Sequence, residues 1–296
     1  KSPLYIHFFN NIDAMGYTAP SMAAGEADPS YGIRYDIIEL TYNDAAHAGM
    51  FANTSRVDAF QYPMALRVEG DGRDQVVGEK LKYADVISRW NTALGNTDYS
   101  VCVRNIITKD NLGPIIEQPS KVPAFQNTQS FRDFENYVNR IWNAFQGKTL
   151  NAGHGERGNW RGSVSGNVFT MTGYSQGWNG VVGKIYGRPS AVDCIEGAGQ
   201  FANGDVQDKA VQAQFCAAIN RGAIKVDAAN DEFQDWWDTS RFFGSVDNCF
   251  NRYVWFFHQD GVSFNKVTYA FAYDDVANQS ATLQCSNPTR VRVYIG

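Results

Sequence analysis

Residues 34–43 alternate between apolar and polar positions, the pattern of a strand with one buried face. The apolar positions are Ile38, Leu40 and Tyr42, and the polar positions are Glu39, Thr41 and Asn43. A carboxylate, a hydroxyl and an amide therefore line one face of the predicted strand. A second extended run is predicted over residues 57–68, where Pro63 indicates a sheet edge or a bend.

Both ends of the chain carry further strand patterns. Residues 4–9 form an apolar and aromatic run, and residues 267–273 and 291–295 alternate in the same way as the first strand. The last two segments predict that the chain ends in β structure.

Helical spacing of apolar residues predicts three helices in the middle of the chain, over residues 81–94, 130–145 and about 206–221. Ser130 with Asp133 predicts a capping box at the start of the second helix, and Gly147 its end. Asp205 is the predicted cap of the third helix, which Gly222 ends. The order of elements predicts a mainly β protein with an α/β insertion.

Composition narrows the function classes. The chain has 296 residues, enough for one large or two modest domains. Charged residues make up 19% and the net charge is −5, which argues against a nucleic-acid partner. No apolar run approaches the ~20 residues of a membrane span. Aromatic residues reach 14%, which predicts a large aromatic core and, second, platforms for the flat faces of sugar rings.

The five cysteines include no CxxC pair, so a zinc or redox motif is not expected. The four histidines show no metal-ligand spacing, so we expect neither a metal nor another cofactor. In a secreted chain the cysteines would form two disulfides and leave one over. Sequons at Asn53 and Asn278 fit a secretory route, and secretion is the expected localisation.

Two carboxylates are candidate catalytic residues. Glu39 lies on the polar strand face, and Asp58 follows 19 residues later on the second extended run. Two carboxylates on adjacent strands are the minimum equipment for hydrolysis of a glycosidic bond.

Two other motifs point to different chemistry. Residues 173–177 match G-x-S-x-G, which would make Ser175 the nucleophile of an esterase, with Asp247 and His258 following in the hydrolase order. The residues after it are too rich in glycine for the required helix, so a hairpin turn is the preferred interpretation. Residues 153–158 fit G-x-G-x-x-G but have no leading strand or following helix, which indicates a loop.

Three stretches of the chain together resemble glycoside hydrolase family 64, the laminaripentaose-producing β-1,3-glucanases, which share a core with thaumatin-like proteins. The first comprises residues 38–43 (IELTYN) and 53–60 (NTSRVDAF) with Pro63. The second comprises residues 189–194 (PSAVDC) and 217–221 (AAINR), and the third residues 251–253 (NRY) and 269–276 (YAFAYDDV).

The resemblance implies a thaumatin-like β domain, a barrel or sandwich, and a mixed α/β domain that flank a wide groove. Residues 1–122 and 266–296 would form the first and residues 123–265 the second. It implies inverting hydrolysis of β-1,3-glucan, such as laminarin or curdlan, to short oligosaccharides without a metal. The family's general acid falls on Glu39 and its base on Asp58. Its sugar-contacting positions fall on Thr41, Asn43, Phe51 and Ser55, with Phe51 where the family tends to have Trp.

Two departures from the family pattern lead to further expectations. The segment of residues 45–50 is longer than in the family, which enlarges the loop between the carboxylates. The family has more β-strands before the point where this chain starts, so a separate N-terminal fragment could complete the β domain. A non-catalytic glucan-binding protein of the thaumatin-like type stays open as the alternative, with the Ser175 esterase third.

Overall fold

The computed structural model describes residues 34–43, 49–105 and 113–296. Its strands, in chain order, are β1 (Ile37–Tyr42), β2 (Met50–Ser55), β3 (Ala59–Phe60), β4 (Met64–Gly70), β5 (Arg73–Gly78), β6 (Val103–Arg104), β7 (Ile115–Glu117), β8 (Leu150–Gly153), β9 (Asn159–Ser165), β10 (Val168–Gly173), β11 (Val182–Ile185), β12 (Phe233–Asp235), β13 (Thr282–Cys285) and β14 (Pro288–Ile295). The α-helices are α1 (Tyr83–Leu94), α2 (Pro123–Gln126), α3 (Gln129–Ala144), α4 (Ala191–Glu196), α5 (Val206–Asn220) and α6 (Arg252–Phe257).

Two three-stranded sheets pack face to face as a β-sandwich. One has the strand order β1-β2-β13 and the other β14-β4-β5, and all their strand pairs are antiparallel. Met50, Ala52 and Leu283 from the first sheet meet Leu66 and Val68 from the second in one buried apolar cluster. Both ends of the described chain thus contribute to the same sandwich. The mainly β class with added helices is confirmed, and the thaumatin-like likeness stays a prediction.

The middle of the chain forms a five-stranded sheet with the order β11-β10-β9-β8-β12, in which β12 runs parallel to β8. Helix α3 packs on it through Trp142, whose ring meets Phe169 of β10 edge-on at 5.5 Å between centroids. Helix α5 adds Phe215, which contacts both Phe169 and Trp236. The sequence-based prediction of an aromatic core is met chiefly here.

A small third sheet has the strand order β3-β7-β6, and helices α1 and α6 pack against one another beside it. Trp90 of α1 packs against Tyr253 and Phe256 of α6, and Phe60 of β3 stacks near Phe257. These residues belong to the same buried cluster as the core of the five-stranded sheet. The division of the chain into one domain of residues 1–122 and 266–296 and a second of residues 123–265 stays a prediction.

The helices begin and end where local capping allows. Asp205 accepts hydrogen bonds from the backbone of α5 and forms a capping box with Asp208, and Gly222 follows the helix with φ of 64°, as the sequence predicts. The cap of α3 differs from the expected one. Thr128, not Ser130, accepts the bond from the Phe131 amide, because the helix starts at Gln129, one residue earlier than predicted.

Two predicted strands differ from those in the structure, and a third cannot be compared with it. The run over residues 57–68 is interrupted, since β3 and β4 are separated by the turn at Pro63. Residues 267–273 form no strand: the amide of Ala270 donates to the Asp274 carboxylate, and of the alternating large residues Val267, Tyr269 and Tyr273 are only half-buried. The predicted strand over residues 4–9 lies outside the described residues.

All five cysteines are free thiols, so the two expected disulfides are not present. Burial raises the pKa of each thiol, to about 12 for Cys249, which disfavours the reactive thiolate. Cys216 instead donates a hydrogen bond of 3.2 Å to the Cys194 carbonyl. In the part of the chain that is described, no helix is long and apolar enough to cross a membrane.

Candidate functional site

The outer face of the β1-β2-β13 sheet is polar. In the antiparallel register Glu39 lies opposite Asn53, Thr41 opposite Phe51, and Ile37 opposite Ser55. Directly opposed residues point to the same face of a sheet, so these side chains share one surface. The other face of β2 and β13 packs in the sandwich core, whereas β1 adds only Ile38, since Leu40 and Tyr42 are 54% and 65% exposed.

The structure therefore brings four of the predicted site residues together on this surface: Glu39, Thr41, Phe51 and Ser55. The fifth, Asn43, follows β1 directly, and its amide donates to the Gly49 carbonyl at 2.8 Å, which extends the pairing of β1 with β2 by one step. Strand β13 adds Thr282 and Gln284 to the surface, opposite Asn53 and Phe51.

Glu39 is exposed, but one of its oxygens is held. The side-chain amide of Asn53 donates to Glu39 Oε2 at 3.0 Å, and Asn53 is only 7% exposed. This bond fixes the orientation of the Glu39 carboxyl group. In the sequence Asn53 is a sequon residue and part of the family resemblance, and its contact with Glu39 was not predicted. Its alternation with Phe51 and Ser55 along β2 is the signal that could have found it.

Asp58 lies in a bend between β2 and β3 rather than on a strand, which corrects the expectation of two carboxylates on adjacent strands. Its backbone carbonyl accepts from the Gln118 amide at 2.9 Å. Lys121 Nζ lies 3.7 Å from Asp58 Oδ1 and 3.0 Å from Glu196 Oε1. The lysine is partly exposed, so these ion pairs contribute little to stability and leave it able to meet a ligand.

The register relates the two carboxylates to one another. Asp58 lines a small cavity together with Ile37 and Ser55, the residue pair next to Glu39 and Asn53 on the same sheet face. Glu39 is two residues from Ile37 along β1, a step of about 7 Å. Asp58 thus lies beside the Ile37–Ser55 end of the strand pair that carries Glu39.

Residues from the far end of the chain border the same surface. Burial raises the pKa of Tyr269, and the negative charges of Asp275 and Glu39 raise it further, so the three groups are close enough to interact. Partial burial also raises the pKa of Asp275, while Arg221 and Arg157 lower it. Asp275 and Glu39 thus both lie near Tyr269, and sequence reasoning assigned neither Tyr269 nor Asp275 to the site.

The residues of the alternative serine site are not brought together. Ser175 lies in the hairpin turn between β10 and β11 and accepts from the Asn159 amide at 2.8 Å. Asp247 pairs with Arg140 at 2.9 Å, and His258 faces the Asp274 carboxylate. The hairpin interpretation of residues 173–177 is confirmed, and residues 153–158 likewise connect β8 to β9.

The two described histidines are both buried inside the protein. His154 is stacked between Trp160 and Trp236, and burial lowers its pKa to about 3. His258 bonds to the Lys266 carbonyl at 2.7 Å and to Asp274. Among the residues that the structure describes, no group of three potential ligands is placed to hold a metal ion. His7 and His47 lie outside them.

Comparison with known proteins assigns this architecture to a family. The family model for glycoside hydrolase family 64, described as Beta-1,3-glucanase, matches residues 1–295. No curated protein matches the chain.

Several solved structures share the fold. A β-1,3-glucanase domain from Clostridium beijerinckii is 26% identical with a TM-score of 0.71, covering 88% of this chain and 63% of its own. A laminaripentaose-producing β-1,3-glucanase in complex with laminaritetraose is 23% identical with a TM-score of 0.67, covering 86% and 66%. A third, from Paenibacillus barengoltzii and complexed with laminarihexaose, is 21% identical with a TM-score of 0.60, covering 100% and 53%. The chain thus spans about half to two thirds of these relatives.

Proposed function

The chain belongs to glycoside hydrolase family 64, the β-1,3-glucanases, and from that premise we propose that it hydrolyses β-1,3-glucan with Glu39 and Asp58 as general acid and general base. One observation carries the assignment. Glu39 stands on a polar sheet face with Oε2 held by Asn53, and Asp58 lines a cavity with Ile37 and Ser55 at the end of the same strand pair.

The proposed mechanism inverts the anomeric carbon. Glu39 donates its proton to the glycosidic oxygen as the bond from that oxygen to the anomeric carbon breaks. Asp58 accepts a proton from the water that attacks the same carbon from the opposite face. Inverting enzymes hold their carboxyl groups about 6.5–9.5 Å apart to fit this water. We expect the Glu39 and Asp58 carboxyl groups to lie at such a separation.

The surrounding side chains suit a sugar chain. Thr41, Asn43 and Ser55 offer hydroxyl and amide groups for sugar hydroxyls, and the half-buried ring of Phe51 offers an apolar face for a pyranose. The solved relatives in complex with laminaritetraose and laminarihexaose support this ligand class for the same surface here. We propose that the products are short laminari-oligosaccharides and that the domain carrying the site is a thaumatin-like β domain. Secretion of the protein stays a prediction.

Product and anomer analysis on a soluble linear β-1,3-glucan tests this function. Glu39→Gln keeps the side-chain shape without the transferable proton, and Asp58→Asn removes the base. We expect each to lower kcat by at least ~10²-fold with glucan binding retained. NMR during the first turnovers should show products released as α-anomers.

A matched control separates the site from a general loss of charge. Glu69→Gln alters a carboxylate on β4, in the opposite sheet of the sandwich, and should leave hydrolysis unchanged. Binding without turnover in the unmodified protein would favour a non-catalytic glucan-binding protein. Full activity in both site variants would refute the assignment of Glu39 and Asp58.

A further inference from the structure

The residue between Ser55 and Asp58 that organises this part of the chain is Arg56, whose side chain is 0% exposed. Its guanidinium donates two hydrogen bonds to the Glu79 carboxylate, one of 2.8 Å from Nε and one of 2.6 Å from Nη2. Nη1 lies 3.0 Å from Asp36 Oδ2. The remaining donors reach the carbonyls of Ser55 and Tyr62 at 3.1 and 2.7 Å. A single side chain therefore ties together the start of β1, the end of β2, the turn before β4 and the end of β5.

The backbone on either side of Asp58 is held by long-range contacts as well. The Arg56 amide donates to the Tyr269 carbonyl, and the Tyr253 hydroxyl donates to the Arg56 carbonyl, both at 2.7 Å. Gln118 donates to the carbonyl of Asp58 itself. The segment carrying the proposed base is thus fixed between partners from α6, the 267–273 turn and the chain after β7.

Asp36 connects this buried cluster with the site. Its Oδ2 accepts the amides of Gln61 and Tyr62 at 3.0 and 2.6 Å, in addition to Arg56. Asp36 and Asp58 line the same cavity of about 10 Å³, which is about the space that one water molecule needs. Burial raises the pKa of Asp36 to about 7 against the opposing effect of Arg56.

We propose that Arg56, anchored by Glu79 and Asp36, is the positioning residue that holds Asp58 at its working distance from Glu39. The proposal rests on the proposed function, because it assigns Asp58 as the base. The guanidinium does not touch the sugar; it sets where the loop between β2 and β3 lies. A displacement of the base by about 1 Å from its working geometry lowers turnover by roughly 10²-fold.

Arg56→Lys is the first test, because lysine keeps the charge but lacks the planar guanidinium that donates two hydrogen bonds to Glu79. We expect kcat on soluble β-1,3-glucan to fall roughly 10- to 100-fold while KM stays within about twofold. Thr41 and Phe51 pair four residues along the strands from the Ile37–Ser55 end that the guanidinium holds, so binding should largely be spared. Arg67→Lys is the matched control, since Arg67 also donates to a carboxylate, that of Asp74, away from the site. It should leave kcat unchanged.

Two further variants guard against simple misfolding. Arg56→Met should regain part of its activity when guanidinium ion is added, because the free ion can enter the vacated space between Glu79 and Asp36. If Arg56→Met fails to fold, Glu79→Gln gives the same test, since it keeps the shape but weakens the grip on Arg56. Its kcat should fall at temperatures well below its melting temperature.

The pH profile supplies a readout that a purely structural role would not move. The charged and titratable groups around Asp36 are Arg56, Glu79, Asp58 and Tyr253. Asn at position 36 keeps an acceptor oxygen but cannot ionise. The ratio of kcat between Asp36→Asn and the unmodified protein should be near one at pH 5, where Asp36 is protonated, and should fall as pH rises through about 7.

The outcomes distinguish this inference from the proposed function. If Asp58→Asn abolishes turnover but Arg56→Lys and Glu79→Gln keep full kcat, the positioning role is overturned and the base assignment stands. A lowered melting temperature with unchanged kcat has the same meaning. If Asp58→Asn itself keeps full activity, the proposed function fails and the Arg56 variants no longer bear on a base.

Discussion

Removal of the Asp274 carboxylate should destabilise the protein more than any exposed charge change. Asp274 is fully buried and bonds Arg221 at 2.9 Å and His258 at 3.1 Å, with side chains that are 1% and 3% exposed. It also accepts the Ala270 amide at 2.9 Å. Asp274→Ala leaves these groups buried without their partner, and breaking a buried ion pair in this way costs about 3–5 kcal/mol.

The cost converts into a measurable melting shift. A chain of this length has an unfolding entropy of roughly 0.6 kcal/mol/K near its melting temperature, so Tm should fall by about 5–8 °C. Differential scanning calorimetry at pH 6.5 gives the value. Asp74→Asn is the control, because Asp74 makes a similar arginine pair on the exposed face of β5 and should shift Tm little.

The pH dependence provides an independent check. Burial alone would raise the pKa of Asp274, but His258 and Arg221 outweigh it and the pKa is lowered below 3.8. A depressed folded-state pKa means that the stabilisation is present above the unfolded value and is lost as pH falls through the folded one. Asp274→Ala should therefore flatten the acid dependence of stability below about pH 4. A Tm within 1 °C of the parent at pH 6.5, or an unchanged acid slope, would refute this reasoning.

Three further outcomes are expected. Asn53→Ala should lower kcat on β-1,3-glucan roughly tenfold, because the Glu39 carboxyl loses the bond that orients it, with Tm near that of the parent. Ser175→Ala should leave glucan hydrolysis unchanged in the same assay, since its hydroxyl only accepts from the Asn159 amide. Asp205→Ala should cost about 1 kcal/mol in urea unfolding, because helix α5 loses its cap.

The parts of the fold that could be predicted from sequence depend on neighbouring residues. The strand at Ile37–Tyr42 and its two faces follow from a period of two, which the chain itself carries. The ends of α5 follow from Asp205 and Gly222, because a cap acts within a few residues of the helix terminus. The five-stranded sheet was not predicted although β10 alternates between buried and less buried residues, because the order in which its strands pair is set by packing.

The sequence by itself determined the polar face of β1, and with it the candidacy of Glu39, Thr41 and Asn43. Only the tertiary structure decided which groups meet that face. Asn53 reaches Glu39 through strand register, and Tyr269 comes close enough for the Glu39 charge to raise its pKa, although it lies more than 200 positions away. The bend that carries Asp58 is fixed by Arg56, whose carboxylate partners lie about 20 residues distant on both sides. Such contacts depend on strand pairing and burial, and no local pattern in the chain specifies them.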